Sequence, residues 1–438
     1  MMDSIRFFAA TDVGRVRDHN EDNFLVDKKL SLFIVADGMG GHAAGEVASA
    51  IAVRVVHEEI KNEKELLADY VSGATGASKV TTKDIIALLE HAVLRACAKI
   101  HEEAQADVAK RGMGTTLSAI MLLGTQGFIV HVGDSRIYMM RTGKVQQVTE
   151  DHTVYNELVK RGKLSLEQIE KVAHKNAIVR AVGVYERVEV DTLMIEVLPG
   201  DVFVLASDGL TGYLESVEEL SLHLNTAGDQ AAKTLIDLAN ERGGKDNITA
   251  LIVKVGADGA ADDARARRLA LKRDVLAKMP LFARLTEREL LRVMQAVEVR
   301  AYDDGVNVIQ EGDRGDELFI VLEGQVRVSR GGSTLTHLGP GEHVGEMALI
   351  RSVPRSATVT AEGPAELIAI RRVDFFEILR KEHELAVKML WQFLGVLADR
   401  LDATSSDLRH AKEELSAEDI TSDIFAVRED PTSPFQVR

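Results

Sequence analysis

Five short segments in the first part of the chain place carboxylates where they could bind metal ions. They are RDHNED (17–22), ADGMGG (36–41), GDSR (133–136), ASDGL (206–210) and GGKDN (243–247). Asp37, Asp134, Asp208 and Asp246 each stand at the end of an apolar, strand-like run or in a glycine-flanked turn. Hard divalent cations take oxygen ligands of this kind. Because carboxylates buried together repel one another unless a cation neutralises them, these four aspartates predict a metal site.

A single Asp-Gly pair is most often only a turn. The prediction of a metal site therefore depends on the five segments occurring together, each at a strand end or a tight turn.

The elements that must position these carboxylates alternate along residues 1–255. Short runs rich in Val, Ile, Leu and Phe predict strands at SLFIVAD (31–37), TTLSAIMLL (115–123), GFIVHVGD (127–134), DVFVLASD (201–208) and ITALIVKV (248–255). Apolar residues at three-to-four spacing predict helices over 44–61, 83–110 and 215–242. Packed sheets flanked by helices accommodate both patterns, which favours an α+β sandwich.

The composition excludes several classes of protein. With 438 residues, 45% of them hydrophobic, the chain can form one to three cores and is not a disordered or fibrous protein. Its net charge of −16 disfavours nucleic-acid binding, which needs cations against phosphates. The N-terminus has no leader pattern, and no apolar run reaches the ~18 residues of a membrane span. We therefore expect a soluble, cytoplasmic protein with no nucleic-acid or membrane partner.

The acidic segments, with GMGTTLSAIML (112–122) between them, resemble the bacterial branch of the PPM/PP2C metal-dependent Ser/Thr protein phosphatases. The resemblance covers roughly residues 5–255. It implies a β-sandwich between helices, with a two-metal centre in a channel at the sheet edges.

The resemblance also implies roles for individual residues. Asp37 would bridge both metals, which would be Mn²⁺ or Mg²⁺, and the Gly38 carbonyl would bind one of them. Asp208 and Asp246 would hold the other. Two such metals lower the pKa of a water and stabilise an in-line transition state, so no covalent enzyme intermediate is needed.

Further roles follow from the same resemblance. Glu21 and Asp22 would sit beside the metals, one of them as a ligand or through water, and Asp134 would be the ligand of a weaker third metal. Arg17 would hold the substrate phosphate, because a guanidinium fork matches two phosphate oxygens.

Three other features of this half bear on the chemistry. Eukaryotic members carry a histidine where this chain has Met39, so the proton donor to the leaving group is open, and His42 is one candidate. Cys97, the only cysteine, lies in a helical stretch without a C-x₅-R loop and is interpreted as a buried small hydrophobe. Residues 151–183 resemble the mobile flap of bacterial members, although a packed helical hairpin would show the same pattern.

The second half changes character at residue 256. An Ala-, Asp- and Arg-rich stretch (256–279) predicts a linker leading into a helix. Residues 280–371 have strand periodicity with frequent glycine turns, which favours a small antiparallel barrel or jelly roll. Residues 373–403 predict a helix, and residues 404–438 a mobile polar tail.

The segment GEMALIRSVPRSATV (345–359) could bind a phosphorylated ligand. The short helix opened at Gly345 and Glu346 offers free N–H groups to an anion, and Arg355 can bond both exocyclic oxygens of a phosphate. Glu346 can accept a hydrogen bond from a ribose 2′-hydroxyl.

The same segment resembles the cyclic nucleotide-binding domain family, and that resemblance extends over residues 280–400. It implies a β-roll with a lid helix that binds cAMP or cGMP. Because serine rather than threonine stands at position 356, cAMP is favoured. The residues implied in nucleotide binding are Gly345, Glu346, Met347, Ala348, Arg355 and Ser356.

Together these observations predict a PP2C-like αββα sandwich (1–255), a linker and leading helix (256–279), a cyclic nucleotide-binding β-roll with flanking helices (280–403) and a tail (404–438). The expected function is a phosphoserine/phosphothreonine phosphatase acting on products of Ser/Thr kinases and regulated by cAMP or cGMP.

Two alternatives remain open. The first half could be a phosphatase-like scaffold coupled to a nucleotide-sensing interaction module. Alternatively, the second half could serve only to dimerise or dock an active phosphatase.

Overall fold

The computed structural model describes residues 5–40, 44–73, 80–162, 164–256, 260–351 and 353–426. The chain divides into two compact units, which are described separately. The first unit contains residues 1–273 and 286–297, and the second contains residues 274–285 and 298–438.

The first unit is built on two antiparallel sheets. One sheet has the strand order β1-β11-β10-β7-β8 and the other has the order β2-β3-β5-β6-β9, with the short β4 paired to β3. The strands are β1 (Ile5–Asp12), β2 (Asp22–Asp27), β3 (Leu32–Met39), β4 (Gly114–Thr115), β5 (Leu117–Leu123), β6 (Gln126–Val132), β7 (Arg136–Arg141), β8 (Lys144–Gln147), β9 (Asp191–Glu196), β10 (Val202–Ala206) and β11 (Ile248–Val255).

Helices cover the outer faces of the two sheets, and further helices lie elsewhere on the unit. They are α1 (Ala44–Asn62), α2 (Lys64–Ser72), α3 (Thr82–Ala106), α4 (Val154–Arg161), α5 (Leu166–Glu170), α6 (Asp208–Thr211), α7 (Val217–Thr226), α8 (Ala231–Glu241), α9 (Ala260–Lys278) and α10 (Glu287–Met294). Of the covering helices, α1 and α3 lie on one side and α7 and α8 on the other. The last five residues of α9 (274–278) fall in the second unit, whereas α10 lies wholly in the first.

Strand β3 shows how the period of two builds the layers. Leu32 and Ile34 pack into the cluster formed with α1 and α3, whereas Phe33 and Val35 point the other way into the cluster between the sheets. A third cluster joins the other sheet to α7 and α8. Since successive strand residues face opposite sides, both faces of each sheet are buried, and the predicted αββα sandwich is confirmed.

The second unit is rich in β-structure. Its main sheet has the order β12-β19-β15-β16, β13 pairs with β19, β17 with β15, and β14 with β18. The strands are β12 (Val297–Tyr302), β13 (Asn307–Ile309), β14 (Arg314–Gly315), β15 (Glu317–Arg330), β16 (Ser333–Leu338), β17 (His343–Val344), β18 (Val353–Pro354) and β19 (Thr358–Arg371), and the helices are α11 (Met347–Ile350), α12 (Arg372–Lys381) and α13 (His383–Ala426).

The helix predicted over 373–403 is therefore two helices that meet at Glu382. The second of them, α13, continues through residues 404–426, where the sequence predicts a polar tail. Residues 427–438 lie outside the described residues. Within the described part of the chain, no helix has the length and apolar character needed to cross a membrane.

Candidate metal centre and nucleotide-binding site

Asp22 and Asp37 lie opposite each other where β2 and β3 meet the edge of their sheet. They are register partners in the antiparallel pair. The backbone of Asp37 is held on both sides, because its N–H donates to Thr116 Oγ1 (2.9 Å) and its carbonyl accepts from Thr115 Oγ1 (2.9 Å). The side chain of Asp37 is thereby presented at a fixed position.

The carboxylate of Asp22 is buried and only half satisfied. Its Oδ2 accepts hydrogen bonds from Ser207 Oγ (2.8 Å) and Thr249 Oγ1 (2.6 Å), whereas its buried Oδ1 has no partner among the described residues. Burial, opposed by these two hydrogen bonds, raises the pKa of Asp22 to about 6. A buried oxygen of this kind suits a cation or a cation-bound water.

Asp208 and Asp246 come from the other sheet. Asp208 opens α6 directly after β10, and Asp246 lies in the turn before β11, which is the neighbour of β10. Close approach of the two turns needs Gly209, because a Cβ there would lie 2.0 Å from the carbonyl oxygen of Asn247. Burial and the charge of Asp246 raise the pKa of Asp208.

The charges of these carboxylates converge on Asp37. Burial and then the charges of Asp22, Asp208, Asp134 and Asp246 raise the pKa of Asp37 well above its usual range. The two sheets therefore bring together at one edge the aspartates that the sequence places far apart.

Asp134 follows β6 and resembles Asp22 in its surroundings. Its Oδ1 is buried and has no hydrogen-bond partner within the described part of the chain. Burial and the charges of Asp208 and Asp151 raise the pKa of Asp134 to about 7.

Glu21 and Gly38 lie against the start of α1. Glu21 Oε1 accepts a hydrogen bond from the Gly45 N–H (3.2 Å), and the Glu21 carbonyl accepts one from the Gly38 N–H (3.1 Å). A Cβ on Gly38 would lie 2.2 Å from the Gly45 carbonyl oxygen, so this crossing requires glycine. Burial raises the pKa of Glu21.

Arg17 forms an ion pair with one of these carboxylates. Its Nη2 donates to Asp246 Oδ2 (2.7 Å), and its side chain is half exposed. Its positive charge also acts on Glu21 and Asp37. An exposed guanidinium at this edge is suited to hold a phosphate that enters from solvent.

The residues fit a metal centre of the kind that keeps much of its hydration. Among the described residues, no three His, Cys, Asp or Glu side chains converge closely enough to enclose a metal ion by themselves. Mg²⁺ and Mn²⁺ sites need only one or two carboxylates per ion when waters fill the remaining positions. The unpartnered oxygens of Asp22 and Asp134 and the mutual repulsion of the carboxylates are consistent with such a site.

The other sequence candidates have simpler positions. Met39 is half-buried and pairs with Gly114 of β4, and His42 lies outside the described residues. Cys97 is buried on α3, where it donates to the Tyr185 carbonyl (3.2 Å), as expected of a packed thiol. Residues 151–183 contain the two short helices α4 and α5.

In the second unit, the guanidinium of Arg355 lies between two glycines. A Cβ on Gly315 would lie 1.9 Å from Arg355 Nε, and one on Gly345 would lie 2.5 Å from its Nη1. Arg355 Nη2 donates to the Glu317 carbonyl (2.8 Å), and burial lowers the pKa of Arg355. The site therefore contains a partly buried guanidinium whose position is restricted by close contacts with the backbone. A bound phosphate would neutralise its charge.

The remaining predicted nucleotide residues surround this arginine. Glu346 is buried and its charge acts on Arg355, Ala348 is buried in α11, and Ser356 is exposed. Met347 begins α11, which is a single turn. A helix this short adds little to anion binding, so the principal charge for a phosphate comes from Arg355.

Several residues that shape the two sites were not assigned a role from the sequence. Ser207 and Thr249 hold Asp22, Thr116 holds Asp37, and Asn247 accepts from the Glu21 N–H (2.8 Å) while donating to the carbonyls of Val13 and His19. Ser207, Thr116 and Asn247 lie within the quoted sequence segments. The position of Ser207 and Asn247 directly beside a predicted metal ligand is the sequence feature that could have indicated their role.

Comparisons with known proteins match both halves of the chain. Residues 15–249 match the family model described as "Protein phosphatase 2C", and residues 299–382 match the one described as "Cyclic nucleotide-binding domain".

Named relatives match the first half. A serine/threonine phosphatase stp of Listeria innocua is 38% identical over 248 residues, which is 56% of this chain and 93% of that protein. The protein phosphatase PhpP of Streptococcus pneumoniae is 34% identical over 254 residues, covering 57% of this chain and 97% of that protein. The crystal structure of the Mycobacterium tuberculosis serine/threonine phosphatase PstP/Ppp is 33% identical, covers 58% of this chain and 99% of that one, and superposes with a TM-score of 0.50.

Proposed function

The chain belongs to the protein phosphatase 2C family and is a serine/threonine protein phosphatase, and from this premise we propose that it uses divalent metal ions, Mn²⁺ or Mg²⁺, and is regulated by a cyclic nucleotide. Two metals would be held at the edge of the sandwich, with a third near Asp134. The nucleotide, cAMP or cGMP, would bind beside Arg355.

One observation carries the metal proposal. Asp22, Asp37, Asp134 and Asp208 have raised pKa values, to which the charge of Asp246 contributes at Asp22, Asp37 and Asp208. Two buried oxygens of this group, Asp22 Oδ1 and Asp134 Oδ1, have no partner among the described residues. In a protein without bound cations, this arrangement would be destabilising, because each like charge disfavours the ionisation of the next.

The proposed ligands are the residues that the sequence predicts. Asp37 and the Gly38 carbonyl lie at the end of β3, and Asp208 and Asp246 flank strands of the other sheet and act by charge on Asp37. Glu21, Asp22 and Asp134 would complete the surroundings. When bound, paired divalent ions lower the pKa of water and stabilise charge on a phosphoryl group.

The chain's own residues supply binding and orientation. Arg17 would bind the phosphate of the substrate with its guanidinium fork. Thr115 and Thr116 fix the backbone of Asp37, and Ser207 and Thr249 orient Asp22. Because Cys97 is buried in α3 and hydrogen-bonded to backbone, it is not available as a nucleophile.

The nucleotide proposal is supported by the setting of Arg355. Gly315 and Gly345 leave just enough room for its guanidinium, and Glu346 is buried close enough for its charge to act on Arg355. A cyclic phosphate at Arg355 would place a ribose hydroxyl within the reach of a neighbouring acceptor, for which Glu346 is the candidate.

The proposed function is tested by measuring phosphatase activity of the full chain on a phosphothreonine peptide in Mn²⁺, with and without cAMP or cGMP. Hydrolysis that requires the metal and changes in rate with nucleotide would support both parts. Hydrolysis that continues unchanged in a chelator would contradict the metal centre. A rate indifferent to both nucleotides would contradict the regulatory part alone.

A second candidate role of the C-terminal unit, dimerisation, is favoured by α13. Four apolar side chains spaced seven residues apart, Val387, Leu394, Leu401 and Leu408, are each more than half exposed, as is Leu390 between the first two. A seven-residue apolar repeat is typical of a coiled-coil seam. A second copy of the same helix presents the matching seam, which favours a homodimer.

A further inference from the structure

Helix α10 packs against the phosphatase sandwich along one of its faces. It belongs to the same compact unit as the sandwich, although the chain continues from it directly into β12 of the other unit. The residues of this face follow the spacing i, i+3, i+4 and i+7, which places side chains on one side of a helix. They are Arg288, Leu291, Arg292 and Gln295.

The partner of this face is the edge strand β9, which ends its sheet. Arg292 donates to the carbonyl of Thr192, and Gln295 Nε2 donates to the carbonyl of Met194 (2.8 Å). Carbonyls of alternate strand residues point to the same side, so α10 satisfies backbone acceptors along the sheet edge. Leu291 packs against the core between the two sheets.

Arg288, at the N-terminal end of the same face, contacts two carboxylates. It forms an ion pair with Glu150 and lies 3.4 Å from Asp191 Oδ2. Each of these carboxylates also binds a cation of the 151–183 segment, since Lys160 lies 3.1 Å from Glu150 and Arg180 lies 3.1 Å from Asp191. Arg288 therefore shares both anchors of the predicted flap.

One chain of contacts connects Arg288 to Asp134 through Asp191. His152 is buried, and its Nε2 lies 3.4 Å from Asp191 Oδ2. Its Nδ1 accepts a hydrogen bond from the Gly133 N–H (3.1 Å). Because Nδ1 accepts, the proton of the neutral ring is on Nε2 and faces Asp191. Gly133 immediately precedes Asp134, so this chain of contacts ends at a proposed metal ligand.

A second chain of contacts connects Arg288 to Asp37 through Glu150. The Glu150 carbonyl accepts from His131 Nε2 (3.0 Å), and His131 Nδ1 then accepts from Ser118 Oγ (2.9 Å). Ser118 also lies 3.1 Å from the Ser135 carbonyl, and Ser135 Oγ is 2.8 Å from Thr116 Oγ1, the group that binds the Asp37 N–H. The rings of His131 and His152 are 4.9 Å apart, so the two routes touch.

The underside of α10 is loosely packed. A cavity of about 440 Å³ lies beside its C-terminal half, lined by Leu291, Met294 and Gln295 of this region and by Met194 and Lys272 among others. Leu290 and Val293 of α10 are buried, whereas on the side that lines this cavity the polar contacts at β9, Glu150 and Asp191 carry much of the attachment of the helix.

We propose that α10 is a positioning element of the phosphatase, in which Arg288 holds the flap and the Gly133–Asp134 turn in place through Asp191 and Glu150. Because α10 continues into the nucleotide-binding unit, it is also the element through which a bound nucleotide would change phosphatase activity. This second part rests on the proposed nucleotide regulation, whereas the first part does not.

The test uses Arg288→Ala in the full chain, with Arg267→Ala as the matched control. Arg267 is an exposed arginine of α9, so the control also removes one guanidinium from the connecting region. Hydrogen exchange of peptides covering 151–183 is measured without nucleotide, and Mn²⁺ binding is measured by calorimetry. We expect Arg288→Ala to speed exchange in the flap about tenfold and to weaken the weakest Mn²⁺ step about fivefold, with Arg267→Ala unchanged.

Arg288→Lys separates a positioning role from general destabilisation, because lysine keeps the charge and should restore much of the wild-type exchange. If Arg288→Ala unfolds, Glu150→Gln approaches the same contact from the sandwich side and should show the same changes. The proposal would be overturned if Arg288→Ala showed the same flap exchange and Mn²⁺ binding as wild type. If Arg288→Ala does not fold, the same result in Glu150→Gln would overturn it.

The proposed role of α10 in nucleotide regulation is tested by a separate measurement of the phosphatase rate with and without nucleotide. Where wild type responds to cAMP or cGMP, Arg288→Ala should bind the nucleotide with unchanged affinity while its rate no longer responds; a response of wild-type size would overturn this part. If wild type itself does not respond to nucleotide, the proposed regulation fails, and flap exchange still decides the role of Arg288 because that measurement needs neither nucleotide nor turnover.

Discussion

Asp22 and Asp37 are cross-strand partners at the end of an antiparallel pair, where Asp22 is buried and Asp37 is half-buried. Like charges directly opposite on neighbouring strands destabilise a sheet. Here the surroundings counter that repulsion for Asp22 with the hydroxyls of Ser207 and Thr249. The repulsion between these two carboxylates therefore destabilises the metal-free protein, and it lies where the proposed metal ions would neutralise it.

The first prediction concerns Asp37. Replacing it by Asn removes one charge from the middle of the cluster while keeping its size. Because the amide is a poor metal ligand, we expect activity on a phosphothreonine peptide in Mn²⁺ to fall by more than the roughly 10–100-fold that loss of an outer-shell partner costs. The metal-free protein should become more stable, since a repelling buried charge is gone.

Asp69→Asn is the matched control, because Asp69 is exposed on α2. It should leave both activity and thermal stability unchanged. Wild-type activity in Asp37→Asn would contradict the assignment of Asp37 to the metal centre.

The second prediction concerns the pH dependence of stability without metal. The pKa values of Asp22, about 6, and Asp134, about 7, lie above the ordinary value near 4. At these carboxyls the folded protein therefore binds more protons than the unfolded chain between about pH 4 and 7, and their contribution to stability falls as pH rises through that window. Burial lowers the pKa of His131 well below its usual range, so this single group acts in the opposite direction below about pH 6.5, and the carboxyls outnumber it. For Asp22 alone, the loss is on the order of 3 kcal/mol.

The measurement is thermal unfolding in a chelator from pH 4 to 8, repeated with Mn²⁺. The melting temperature should fall with rising pH in the chelator, and added Mn²⁺ should raise it most at pH 8, where the carboxylates are ionised. Below about pH 4 the trend should reverse, because His152 and neighbouring cations outweigh burial and lower the pKa of Asp191. A melting temperature that rises from pH 5 to 8 in the chelator would refute the raised pKa values.

The third prediction concerns the hydroxyls that hold Asp22. Ser207→Ala removes the hydrogen bond to Asp22 Oδ2 and leaves a small space. Since outer-shell partners orient ligands, we expect about a 10-fold to 100-fold weaker apparent affinity for Mn²⁺. Ser31→Ala is the control, because Ser31 is also buried but its hydroxyl has no hydrogen-bond partner among the described residues. Equal Mn²⁺ dependence of the two variants would show that Ser207 does not act through Asp22.

Features encoded by neighbouring residues could be predicted from the sequence, whereas contacts between distant residues could not. Strand β3 and the position of Asp37 at its end could be predicted, because apolar runs and turn residues are local features. The role of the Ser207 and Thr249 hydroxyls could not be predicted. Their partner Asp22 lies 185 positions from Ser207 and 227 from Thr249 in the chain, so the contact depends on how the two sheets pack.

The linker shows the same limit at larger scale. A helix after residue 256 could be predicted from composition, and α9 is that helix. The return of α10 to strand β9 could not be predicted, because Arg288 and Arg292 have the spacing of any amphipathic helix and the sequence does not show which surface they meet.

The fourth prediction concerns the room around Arg355. In Gly315→Ala the new methyl group would overlap Arg355 Nε, so the guanidinium must move. We expect cAMP or cGMP binding, measured by calorimetry, to weaken at least about tenfold, with phosphatase activity without nucleotide unchanged. Gly339→Ala is the control, because a Cβ there meets only the end of Glu342 at 3.9 Å. Equal nucleotide affinity in both variants would show that the setting of Arg355 does not govern binding.

The fifth prediction concerns the exposed seam of α13. If the seven-residue repeat pairs two copies of the chain, a lysine at Leu394 or Leu401 would place two like charges against each other at the centre of the seam and disrupt the pairing. Sedimentation equilibrium should then show a dimer for wild type and a monomer for Leu394→Lys or Leu401→Lys. Asp402→Lys introduces the same side chain at an exposed neighbouring position outside the seam and should remain dimeric. A wild-type monomer at micromolar concentration would exclude the seam as a homodimer interface, and a dimer that survives both leucine substitutions would place the interface elsewhere.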